Sequence, residues 1–337
     1  MILYLTAKIK LNMERREFIN HLGFGAGLIF IPEHSLFNGR LLDFEISLAE
    51  FSLASELWSG NLTNLHFPAK AAQLGFKAVE YVSSFFNEEH KNKEYLKDLK
   101  QRTDDLGLVN NLIMVDADNL ADLSKAKRDA AVDTHKYWVD AAHYLSCRSI
   151  RVNLGTFGQM DEPKAMAEAG ADGYGRLVIY GAQAGMDVVV ENHFGWSSDA
   201  SWLVGVMKMV NHPRAGTLPD FGNFCIVRTL PPTNDIAGYF QTECIQEYDR
   251  YKGIRELLPF AKGLSAKSHL FDTEGNEVEI DYWKIFADVK KARFKGYVGV
   301  EYEGGLYRMV KNDSKYKTNE EGILATKNLL EKIKTKL

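Results

Sequence analysis

The chain has 337 residues, 45% hydrophobic and 26% charged, with a formal net charge of −4. Such a composition builds a large globular core and offers no basic field for a polyanion, which disfavours nucleic-acid binding as a main function. Cys147, Cys225 and Cys244 show no CxxC or zinc-ribbon spacing and read as isolated thiols filling small core positions.

In chain order, the first feature is Glu14-Arg15-Arg16-Glu17-Phe18-Ile19, followed by the apolar, glycine-containing stretch HLGFGAGLIFIP. A basic pair before a moderately apolar segment resembles a twin-arginine export signal. The stretch is too short and glycine-rich for a membrane span, although a retained signal anchor stays open. Met13, just before the arginines, is an alternative start, and no clean A-x-A cleavage site follows. The expected division is a signal-like segment over 1–40 and one folded domain over 41–337. The expected location is periplasmic, or cytoplasmic if the signal is not used. A frayed amphipathic helix is the plainer reading of the same residues.

Beyond residue 40, short β-type runs alternate with longer helical patterns, as in a parallel sheet built of β/α units. Strands are predicted near 43–48, 77–82, 108–115, 149–154, 186–191, 215–220, 262–269 and 296–302. Helical patterns cover 92–106, 121–145 and 163–184, and a closing helix covers 319–335. Gly75, Gly107, Gly185 and Gly296 precede strands, where left-handed helix caps belong. Eight units predict an α/β fold, a single-domain (β/α)8 TIM barrel. In the second helical pattern His135 shares a mainly apolar face with Ala131, Trp138 and Ala142, which marks it as structural. The segment 221–258, with Pro231-Pro232 and Tyr239-Phe240, exceeds a normal connection and is expected to shape a substrate pocket.

Four apolar runs in the second half end in ligand-type residues: MDVVVENH at Glu191, AGTLPDFGN at Asp220, KGLSAKSH at His269 and GYVGVEYEGG at Glu301. Polar tips on apolar strands mark the catalytic face of a β/α barrel. A buried carboxylate there is costly unless it is paired or metal-bound. Side-chain alternation puts His193 on the side of Glu191, and residues 265, 267 and 269 on one side. Glu80, Asn110, Arg151 and Asn153 in strands two to four, with His193 after strand five, Asn223 after strand six and Lys267 in strand seven, are candidates for contact with substrate. Trp58, Phe85, Phe86 and Trp196 follow strands and could stack on the flat face of a ligand.

Over about 43–335 the chain resembles the xylose isomerase-like TIM barrels, the sugar phosphate isomerase/epimerase group. The stretches ENHFGWSSDASWLVGVMKMVNHPRAGTLPDFGNF, AKSHLFDTEGNEVEIDYW and GYVGVEYEGG carry the likeness. The resemblance implies a divalent metal held by Glu191, Asp220, His269 and Glu301, with Glu191 and Glu301 as the acid/base pair. It leaves two alignments open in strand seven: His269 as the ligand, or Ser265 at the histidine position with Lys267 as the active-site cation.

The chemistry gives these residue types a reason. Moving a proton beside a carbonyl creates an enediolate, whose oxygens need positive charge, and carboxylates can take and return the proton. Oxygen ligands with one imidazole suit Mn²⁺, Mg²⁺ or Co²⁺, and zinc is compatible. The reading is therefore a metal-dependent isomerase or epimerase acting on a small-molecule carbohydrate, with no nucleic-acid partner and a homo-oligomer allowed. An exported enzyme would meet a non-phosphorylated sugar. The alternative is a lyase or dehydratase of a keto-sugar or keto-glycoside using the same metal and base. A non-enzymatic sugar-binding barrel is a third reading. A DNA-repair endonuclease would need more histidines and a basic face.

Overall fold

The computed structural model describes residues 42–155, 162–233 and 235–337. The export-like segment expected over 1–40 lies outside the described residues, as does residue 41. Ten strands follow in chain order: β1 (Asp43–Ala49), β2 (Ala78–Val82), β3 (Val109–Met114), β4 (Ser149–Val152), β5 (Asp187–Glu191), β6 (Ala215–Leu218), β7 (Cys225–Arg228), β8 (Cys244–Glu247), β9 (Gly263–Ser268) and β10 (Lys295–Tyr302). All but β7 and β8 join one parallel sheet in the spatial order β6-β5-β4-β3-β2-β1-β10-β9. Isolated parallel bridges Thr217↔Ala261 and Asp220↔Ser265 then tie β6 to β9 and close it into a (β/α)8 barrel.

Local chemistry explains the alternation. The strands are buried apolar runs, which parallel strands covered by helices require. The helices between them start on side chains that satisfy free N–H groups. Asn92 accepts from the Glu94 and Tyr95 amides, Asp199 from Ser201 and Trp202, and Asp281 from Lys284. The closing helix Asn319–Lys336 opens with a reciprocal Thr318/Glu321 capping box. The main core fills the space between sheet and helices, where Phe44, Tyr81, Ile150, Leu177, Phe221, Phe286 and Ile333 are all buried. A smaller apolar layer inside the barrel, including Leu112, Met114, Val189 and Leu218, underlies the strand tips. His135 is buried, with Nδ1 2.7 Å from the Ala131 carbonyl oxygen, a structural contact within its own helix. No helix among the described residues is long and apolar enough to cross a membrane.

Three details differ from expectation. Gly75, Gly107 and Gly185 take positive φ after their helices, but Gly296 lies inside β10, and Arg293 holds the left-handed position at that helix end. The long insertion after β6 contains an antiparallel hairpin, β7–β8, with the short helix Ile236–Tyr239 between its strands. Cys225 and Cys244 are not isolated thiols: they form a disulfide across this hairpin, and only Cys147 stays free and buried. The pair is 19 positions apart in the chain, so only the hairpin's register makes them neighbours.

Candidate active site at the strand tips

Glu191 ends β5, and Asp220 stands two residues past β6 in the turn Asp220-Phe221-Gly222-Asn223. Asp220 Oδ1 accepts the Gly222 amide at 2.7 Å and the Asn223 amide at 2.8 Å, which fixes the turn. Asn192 clamps it from β5. Its Nδ2 donates to the carbonyls of Asp220 (3.0 Å) and Asn223 (2.9 Å), while its Oδ1 accepts the Asp220 amide at 2.7 Å. Sequence reasoning passed over Asn192, although its place in ENH, between two site candidates, was the available signal. Asn223 donates to Glu191 Oε1 at 3.1 Å, so the turn in turn orients the glutamate.

On the other side, Ser265 is level with Asp220 and Lys267 is level with Glu301. Ser265 Oγ lies 2.9 Å from Asp220 Oδ2 and 2.6 Å from Glu301 Oε2. The Lys267 ammonium reaches Glu301 Oε2 at 3.1 Å, Asp220 Oδ2 at 3.5 Å and Glu303 Oε1 at 2.7 Å. Arg151, at the end of β4, forms ion pairs with Glu191 Oε2 at 2.8 Å and Asp116 Oδ1 at 2.5 Å. Glu303 and Asp116 were not among the sequence candidates. Glu303 could have been found two residues beyond Glu301, on the same side of the chain.

Burial dominates the electrostatics. It raises Glu191 well above the usual carboxylate range, reinforced by Glu301 and Asp220 and opposed by Arg151. Burial likewise raises Glu301, with Asp220 and Glu303 adding to it against Lys267. For Lys267 burial opposes the charge, yet Asp220, Glu301, Glu303 and Glu191 together hold its pKa well above the ordinary lysine value. Burial and the Arg151 cation push His193 down to about 3, so its imidazole is neutral near pH 7.

The expected four-ligand metal set does not assemble. One oxygen each from Glu191, Asp220 and Glu301 lies within 4.8 Å of the others, so this buried cluster could hold a divalent ion. His269 is not part of it. It shares its side of the chain with Ser265, but four residues of strand rise carry it above the cluster. There Nδ1 pairs with Glu279 at 3.0 Å and Nε2 with Glu303 at 3.6 Å. Burial works against its charge, but these two carboxylates lift His269 to about 9, and both ring nitrogens are engaged away from the cluster. Ser265 occupies the level where the imidazole was expected, and the ammonium of Lys267 already sits against two of the three carboxylates. The side chains present fit a built-in cation better than a four-ligand divalent ion.

A cavity of about 650 Å³ opens above this cluster. Its lining includes Arg151, Asn153, His193, Asn223, Lys267 and Glu301, so all but two of the candidates for substrate contact reach it. The other two do not. Glu80 points into a lower barrel layer, where its Oε1 accepts from Ser47 at 2.5 Å and Asn111 at 2.8 Å. Asn110 faces the helices instead, bonded to Thr103, Tyr81 and the Leu145 carbonyl. Alternation puts Asn111, not Asn110, inside the barrel. Trp58 lines the cavity with Phe51, Phe194, Tyr239 and Phe240, whereas Phe86 is wholly buried in the core. Glu191 and Asp220 lie behind the lining, and Glu301 and Glu303 are the carboxylates of the cluster that line the cavity.

Solved structures with this fold include D-psicose 3-epimerase from Clostridium cellulolyticum (13% identity, 86% of this chain and 99% of that chain, TM-score 0.63). Another is the 3-keto-D-glucoside 4-epimerase of E. coli (12%, 87% and 99%, TM-score 0.56). A third is a probable 3-DHS dehydratase of Bacillus anthracis (14%, 85% and 98%, TM-score 0.57). At such identities the likeness establishes the fold. No curated protein matches the chain. The family model described as xylose isomerase-like TIM barrel matches residues 68–330, through all the strand tips described above, and the chain belongs to that family.

Proposed function

We propose that this protein is an enzyme that moves a proton on a carbon beside a carbonyl of a carbohydrate, as an isomerase or epimerase. The observation that carries the reading is Glu301 at the cavity floor: a buried carboxylate with raised pKa, 3.1 Å from an ammonium. A base poised nearer neutrality beside a fixed cation suits removal of an α-proton and stabilisation of the enediolate that results. Glu301 takes the proton, and Glu191, within 4.8 Å of it behind Arg151, is the second member of the acid/base pair. His193, Asn153 and Asn223 are neutral groups placed to bind hydroxyls.

The substrate is non-phosphorylated. Two cations, Arg151 and Lys267, face four carboxylates, Asp116, Asp235, Glu301 and Glu303, around the cavity, which repels a dianionic phosphate. Export by the twin-arginine-like segment fits the same choice, and the Cys225–Cys244 disulfide supports an oxidising compartment.

One observation favours a second reading, a lyase of a keto-glycoside. The cavity has aromatic walls from Phe51, Trp58, Tyr239 and Phe240 and is ample for a sugar carrying a further group, which elimination would expel. Incubation with ketoses and 3-keto-glycosides in D₂O, followed by NMR, separates the two. Deuterium in an intact sugar supports epimerisation or isomerisation, and an unsaturated product supports elimination. No exchange and no product with any of them would reject both.

A further inference from the structure

We infer that the Lys267 ammonium is the resident cation of this site and that the barrel works without the divalent metal its family fold suggests. The inference rests on the proton-transfer reading above and names the group that stabilises its intermediate.

Position is the first argument. Nζ of Lys267 lies 3.1 Å from Glu301 and 3.5 Å from Asp220, two of the three carboxylates that could share an ion. The third, Glu191, has its own cation, with Arg151 Nε at 2.8 Å. A divalent ion among these oxygens would stand within a few ångströms of both an ammonium and a guanidinium, and their repulsion is strong in a buried site.

The site is also shaped for the lysine. A Cβ on Gly222 would lie 2.8 Å from Lys267 Cγ, so the glycine of the Asp220 turn leaves room for the lysine stem. The Lys267 carbonyl is pinned by the Tyr282 hydroxyl at 2.8 Å, which fixes the strand under the side chain. Ser265 completes the exchange of parts. Its hydroxyl carries one proton to place between Asp220 and Glu301, and it offers no imidazole lone pair to a metal.

The step balances without a metal. Glu301 takes the α-proton, and the C–H bonding pair becomes the new C=C bond. The carbonyl π pair moves to oxygen, whose charge is met by an N–H of Lys267. On the one-base route Glu301 returns the proton to the neighbouring carbon while that carbon's hydroxyl proton passes to the former carbonyl oxygen. On the two-base route protonated Glu191 donates to the opposite face and is then reprotonated from Glu301, so both routes end at the starting charges.

The test uses the full-length protein, stripped with EDTA and dialysed. Titration with Mn²⁺, followed by the EPR signal of the free ion, is expected to show no stoichiometric uptake. Deuterium exchange into D-tagatose or a 3-keto-D-glucoside should run equally fast before and after EDTA. Lys267→Met should lose about 10²–10³-fold in exchange rate, and Lys267→Arg should recover part of it. One Mn²⁺ bound per chain, with exchange lost to EDTA and restored by Mn²⁺, overturns the inference and leaves proton transfer standing. Absence of exchange with and without Mn²⁺ overturns the proton-transfer reading instead. Should Lys267→Met not fold, the wild-type titration and EDTA comparison decide alone.

Discussion

The two halves of this barrel both bury carboxylates, and they neutralise them differently. In the first half Glu50 accepts from the Val82 amide and the Asn64 side chain, and Glu80 from Ser47 and Asn111. Those donors are neutral, and burial raises the two groups to about 8 and about 7. In the second half Glu191, Asp220, Glu301 and Glu303 meet Arg151 and Lys267, and Glu301 and Glu303 border a cavity. Burial alone, then, does not mark a reacting carboxylate. What distinguishes the second half is fixed positive charge together with access.

The comparison breaks most sharply at Glu301. Glu301→Gln should lower exchange of a substrate α-proton by about 10²–10⁴-fold, read by NMR in D₂O with a thermal melt as the folding control. Glu80→Gln, sealed below, should leave that rate within tenfold, and equal losses in the two variants would erase the distinction. Next in size is Arg151→Met, which leaves Glu191 and Asp116 without their cation. Denaturant unfolding should show a loss of about 3–5 kcal/mol.

The hairpin disulfide follows. Replacing both Cys225 and Cys244 by alanine releases a cross-link spanning 19 residues that carries Tyr239 and Phe240 into the cavity wall. Loop-closure entropy puts the loss at about 3 kcal/mol, and the steady-state expectation is a raised KM with a smaller change in kcat.

The smallest effects are in the pH dependence of stability. Glu80 has a folded-state pKa raised to about 7, so its contribution is full below its unfolded value and is lost as pH rises through 7. Glu80→Gln should flatten this fall, which is of order 3 kcal/mol at most. His269 is raised to about 9 by Glu279 and Glu303. Its contribution is complete below about 6.5 and is lost as pH rises through 9, so His269→Gln should flatten the alkaline limb of the unfolding profile.

Much of the fold is legible along the chain because its signals are local. Runs such as Asp187–Glu191 are apolar along their length with a polar tip, and caps such as Asn92 and Asp199 sit next to the helices they start. The same locality exposed Glu191, Asp220 and Glu301. It failed at His269, whose motif looked right but whose height on the barrel did not. It also failed at Asn110, where one step of alternation turned the side chain outward to Thr103 and Tyr81.

By itself, then, the sequence determined the eight β/α units, their order and three acidic tips, since periodicity and turn chemistry act over a few residues. Only the tertiary structure decided which groups stand at one level. Parallel register set Ser265 opposite Asp220 and Lys267 opposite Glu301, and hairpin pairing joined Cys225 to Cys244. Those relations depend on hydrogen-bond register between strands far apart in the chain, and at this site they put Ser265 at the level where an imidazole was expected and favour the alignment with Lys267 as the cation.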